Sequence, residues 1–232
     1  MTNLALINHD TKLSDIVIAE PSALTVLNRF GIRLGLGDLT VARACAQLGI
    51  DPDFMATIIN TYLHEDYFPD RIHSTFKAAT IVDYLGQTNN YYIHFHLPVI
   101  ERHFGLLISK SDPANNNLGL MLKFFLEVKQ QLLDRIADDH EHWFPAILQA
   151  EANASDTIET SIRTDDCDAD TVEDKLNDLI SMMVIHLSGK YDTNLALAVL
   201  MALTSLKNDL TQNNRIRNRL LKPMFHVLIN NH

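Results

Sequence analysis

Cysteine is almost absent: Cys45 and Cys167 are the only two in 232 residues, too few for a disulfide framework or a cysteine-built iron–sulfur cluster. Glycine and proline are also sparse, at 8 and 7 residues, which leaves too little punctuation for a fold of many strands and turns. Basic residues are outnumbered, 19 Lys and Arg against 29 Asp and Glu. The resulting formal charge of -10 argues against a nucleic-acid partner, because phosphate-backbone affinity comes from clustered Lys and Arg. No run of about 20 apolar residues is present to span a bilayer. Met1 to Asp10 lacks the basic start and apolar run of a signal peptide, so a cytoplasmic protein with no membrane partner is expected. What is there, 47% hydrophobic and 21% charged residues, suits a helix-rich globular chain long enough for one full core and a smaller second unit.

From residue 11 to 63 the punctuation is that of short helices. Pro21 opens one and Gly31 closes it. Thr40 is placed to cap a second, Val41 to Leu48, ending at Gly49, and Asp51-Pro52 supplies the N-cap and first-turn proline of a third that runs to about Leu63. The glycines of RFGIRLGLGDLTV mark a tight turn, and the strand that a dinucleotide fingerprint requires is missing. TVARACAQLGIDPDFMATIIN has helix-turn-helix spacing, but Arg43 is its only base beside Asp51 and Asp53, so DNA binding is not expected. His64 to Ser74 reads as a polar linker with a breaking proline, dividing a small helical domain, 1–63, from a larger one, 75–232. Four longer helices are expected near 76–111, 116–151, 169–188 and 193–229, with Pro98 kinking the first and a mobile acidic loop over 152–168.

Each long helix carries an inward stripe. Met121, Phe125, Val128 and Leu132 recur at steps of four, three and four, and the same steps continue onto Arg135 and Asp139. The first helix reads Val82, Leu85, Asn89, Tyr92, with His96 and Val99 beyond, and the third Ala169, Val172, Leu176, Leu179, Met183. The fourth reads Val199, Leu203, Leu206, Leu210, then Asn213 and Arg217, then Leu220 and Met224. Four such faces predict an all-α chain whose larger part is a four-helix bundle, and an up-and-down order brings 89, 135, 139, 169, 213 and 217 to one polar level near an end. Such a level is either a site or a buried network fixing register, because orphaning one charge of a buried pair costs about 3–5 kcal/mol. With two arginines and one aspartate there, Asp139 is expected to pair with Arg135, Arg217 or both, Asn89 and Asn213 to complete hydrogen bonds, and Asp166, Asp170 or Glu173 to supply the missing charge.

Three stretches, TIVDYLGQTNNYYIHFHLPVIERH, Arg135 to Pro145 ending in HWFP, and DLTQNNRIRNRLLKP, resemble the hemerythrin-like domain of the di-iron iron–sulfur cluster repair family. IVIAEPSALTVLNRFGI and LTVARACAQLGID resemble that family's N-terminal domain, and the likeness runs from about residue 11 to 225. It implies a hemerythrin-like four-helix bundle and, in relatives that keep the ligands, two irons held by histidines on all four helices and by glutamates. At the matching places this chain has Asn89, Arg135, Asp139, Ala169, Asn213 and Arg217. Of these only Asp139 can ligate as an anion: arginine is a permanent cation, asparagine offers one weak oxygen and alanine nothing. The family's N-terminal cysteine pair is replaced by Gly35 and Leu36.

No other constellation stands out. His94 and His96 are two apart, as are His140 and His142, so each pair points to different helix faces. His96, His103 and His186 fall on inward or near-inward stripes and read as hydrogen-bonded core histidines; no Ser-His-Asp, P-loop or paired-carboxylate arrangement is readable. The sequence therefore points away from an enzyme, toward a metal-free, cofactor-free scaffold or regulatory binding module with a vestigial polar cluster at Asn89, Arg135, Asp139, Asn213 and Arg217. The resemblance suggests a link to nitrosative or oxidative stress through a protein partner that the sequence does not name; a homodimer is one arrangement it leaves open. Two alternatives stand beside this: a working di-iron protein of cluster repair or nitric oxide response, and a small-anion binder using Arg135 and Arg217.

Overall fold

The computed structural model describes residues 5–69, 76–112, 116–153 and 171–230, and all regular structure in them is helical. Ala169, Cys167, Asp166, Asp170, positions 70–74 of the expected linker and 154–168 of the expected acidic loop lie outside the described residues. The short helices are α1 (Leu13–Ala19), α2 (Ala23–Arg29), α3 (Val41–Leu48) and α4 (Pro52–Leu63). Their ends use the residues the sequence offers. Gly31, just past α2, takes a φ of 78°, which side chains rarely adopt. The Thr40 hydroxyl accepts from the Arg43 amide at the start of α3, and Gly49 closes that helix in the left-handed region at φ 67°. The Asp51 carboxylate accepts from the Asp53 amide at 2.8 Å, with Pro52 as the first residue of α4.

The long helices follow: α5 (Ala78–Tyr91) and α6 (Leu97–Ser109), α7 (Asn116–Asp138) and α8 (Phe144–Ala152), α9 (Thr171–His186), then α10 (Thr193–Ile216) and α11 (Lys222–Asn230). Three are joined through π-helical turns: π1 (Tyr92–His96), π2 (Asp139–Trp143) and π3 (Arg217–Leu221). The amides of Leu97, Phe144 and Lys222 reach back five residues, to the carbonyls of Tyr92, Asp139 and Arg217. Each turn ends two residues before a proline, Pro98, Pro145 or Pro223. In an α-helix each proline would remove a hydrogen bond and drive its ring against the carbonyl four residues back.

These turns correct the inward stripe of the first long helix. A straight helical period placed Val99 and His103 inward, but both are half-buried, and Leu97, Ile100, Phe104 and Leu107 are the core residues. The extra residue in π1 advances the phase by one. Turning α6 back by one residue, about 100°, would swing those four side chains off the core. At about 1.5–3 kcal/mol each, that exceeds the roughly 3 kcal/mol a proline costs inside a helix, so the phase of the core decides. His186, expected near-inward, is exposed as the last residue of α9.

The chain forms two compact units. One holds the described residues within Met1–Thr88, Ile147–Ile158 and Gln212–His232, and the other those within Asn89–Ala146 and Glu159–Thr211. In the first unit the N-terminal helices bond to residues from the ends of the long ones. In the first unit Glu151 accepts from the amides of Ala78 and Ala79 at 2.5 and 3.0 Å, satisfying the start of α5 with a negative charge. Phe30 packs against Phe54 and Tyr84, with ring centroids 6.1 and 5.3 Å apart. In the second unit, α6 packs on α7 and α7 on α9, and residues from Tyr92 to Leu210 on all four long helical stretches share one buried cluster.

The segment leaving α4 is tied down. Arg219, in π3, donates to the carbonyls of Glu65 at 2.6 Å and Tyr67 at 2.9 Å and lies 4.1 Å from the centroid of the Phe68 ring. Burial and the neighbouring Arg215 lower its pKa, yet as a guanidinium it remains a cation. Arg219→Ala removes both bonds and the ring contact. Chymotryptic cleavage after Tyr67 is expected to quicken several-fold, with the thermal midpoint falling no more than about 4 °C; unchanged cleavage would show that Arg219 does not hold this strap.

Candidate functional site

Asn89 and Asp139 meet in the second unit. The Asn89 Nδ2 donates to Asp139 Oδ2 at 3.1 Å, and the two residues are 6% and 2% exposed. Asp139 is the first residue of π2, and its backbone carbonyl accepts the five-residue bond from Phe144. The side chain is thus aimed inward where the helix changes phase. Arg135, one turn earlier, is half-buried. A second buried polar pair lies in the same unit: His96 Nε2 is 3.9 Å from Asp209 Oδ2, and both side chains are more than nine-tenths buried. In addition Thr211 donates its hydroxyl to Glu173, joining α10 to α9.

Asn213 belongs to the first unit, where its Oδ1 accepts from Arg29 Nη1 at 3.3 Å and from the Thr88 hydroxyl at 3.5 Å. Arg29 also donates to the Tyr84 hydroxyl at 3.3 Å, and its guanidinium carbon lies 5.9 Å from the centre of that ring. The arginine is 7% exposed, so a cation from the end of α2 is carried into the interior and fastened to Asn213. Arg217 is half-buried and opens π3.

Of the five positions singled out in the sequence, then, Asn89 and Asp139 bond to each other, and Asn213 completes bonds to other residues of its own unit. Sequence reasoning missed Arg29, Tyr84, Thr88 and Asp209. Arg29 ends a seven-residue helix, too short for a periodic stripe to mark it. Asp209 is adjacent to Leu210 on the buried side, and a stripe traced through the apolar residues passes over it. Cys45 is fully buried with its Sγ 3.6 Å from Met55 Sδ, and burial, helped by Asp51, pushes its thiol up to about 11. That is an inert core thiol.

Asp139 is the one anion among these five positions, and its carboxylate accepts from the Asn89 amide; Asn213 Oδ1 accepts from a guanidinium, and Arg135 and Arg217 have no lone pair to give a metal. Among the described residues no group of three or more His, Cys, Asp or Glu is placed to hold a metal ion. No family model matches the chain, nor does any curated protein or solved structure.

Asp139→Leu alone leaves the buried Asn89 amide short of its acceptor, for an expected cost of about 1–3 kcal/mol. Combining it with Asn89→Leu should cost less than the sum of the two single changes, by about 0.5–3 kcal/mol. Urea unfolding of the four proteins measures the difference, and strict additivity would show that the bond contributes nothing.

Proposed function

We propose that this chain is a non-enzymatic scaffold or regulatory binding module, a metal-free relative of the hemerythrin-like iron–sulfur cluster repair proteins built on the same bundle. The observation that carries this reading is the chemistry of the polar residues. Positions that match iron ligands in the relatives hold amides, arginines, an alanine and a single aspartate, and Asn89 and Asp139 are bonded to each other at 3.1 Å. A hydrogen-bonded amide–carboxylate pair satisfies buried polar atoms and fixes register without metal. With no redox centre or nucleophile assigned, what such a protein offers is surface and shape, and the stress-response setting rests on the resemblance alone.

Metal analysis and visible absorption of the protein purified without chelator test this directly. No stoichiometric iron, manganese or zinc is expected, and chelator should leave the thermal midpoint unchanged because folding is not linked to metal. Two irons per chain with Asp139 among their ligands would instead establish the working di-iron protein.

A further inference from the structure

Three wide turns in one chain, each two residues ahead of a proline, ask for a common cause. Two are available. Either the prolines force the helix open and the core follows, or each helix carries one residue too many for a continuous period and the turn absorbs it. Burial separates them. At π1 and π2 the buried stripe is carried across a five-residue step, Tyr92 to Leu97 and Asp139 to Phe144, whereas at π3 Asn213, Ile216, Leu220 and Met224 stay buried at the ordinary steps of three and four. A regular helix returns to the same face after three or four residues. Five-residue steps therefore mean that upstream and downstream stripes are both in helical phase but out of phase with each other by one residue. The outer residues of π1 and π2, His94, Phe95, His140 and Glu141, are exposed, so the surplus is carried on the solvent side.

We infer that at π1 and at π2 the turn is a one-residue insertion acting as a phase adaptor, with the following proline marking where it sits. It keeps the two halves of a helix on the core while deciding how the side chain at its start is aimed. Asp139 opens π2 and is directed inward to Asn89, whereas His140 to His142 bulge outward. The adaptor is a positioning device for a polar residue, independent of whether the chain binds metal. π bulges recur at functional sites for this reason: they re-aim one side chain without displacing the helix.

Deleting one residue from a helix normally ruins its packing, and here it should not. The full chain lacking Glu141, with Pro145→Ala so that no proline remains inside the regular helix this creates, is expected to melt within about 4 °C of the parent. Loss of Glu127, an exposed residue in the middle of α7, is the control. It throws Met121 and Phe125 out of phase with Val128 and Leu132 and should lower the midpoint by more than about 10 °C. Trp143, the chain's single tryptophan, lies in π2, so its emission and the circular dichroism both report the transition. Pro145→Ala alone should also stay within about 4 °C, with the turn retained. Equal damage from the two deletions would overturn the inference. So would a Pro145→Ala variant as unstable as the control, since the proline and not the core phase would then be what the turn serves.

Discussion

Core phase is the constraint on which the rest of this structure depends. An α-helix presents a buried face only while its period is unbroken, and two of the long helical stretches here, at π1 and π2, break it by one residue and then resume. The widened turn is cheaper than the alternative because one displaced hydrogen bond is weighed against several fully buried side chains. The prolines sit where the ladder is already interrupted, which is why residues hostile to helix interiors occur in the middle of three of them. The same turns set which polar residues enter the interior.

Several interior polar groups are paired with a neighbour from another helix. Asn89 serves Asp139, and Arg29 and Thr88 serve Asn213. Such pairs add little net stability against a well-packed apolar replacement, but each is expensive to break from one side, because the remaining partner stays buried. A protein that retains several of them is committed to one register.

Arg29 and Arg219 play parallel parts in the first unit. Arg29 carries a charge from a seven-residue helix to Asn213, while Arg219 holds the backbone leaving α4 through two carbonyls and a ring. Both tie the N-terminal part of the chain to residues more than 150 positions away. The planar, always-charged guanidinium is suited to this, since it can satisfy several oxygens at once and stack on an aromatic face.

Local chemistry was legible in the sequence. Thr40, Gly49, Asp51 and Pro52 mark helix ends through interactions with near neighbours, and those ends fall where the residues place them. The helical class and the stripes through Leu132, Met183 and Leu210 were legible as well, because period and burial are coupled within one unbroken helix. The stripe beyond His96 was not, since a straight period cannot show a π turn, and a proline alone predicts a kink as readily as a widened turn. Nor could the sequence show that Arg29 would bond to Asn213 or that His96 would lie beside Asp209. Those contacts join residues more than a hundred positions apart. Only the packed chain decides them, because the free energy that selects such a partner comes from burying both groups together.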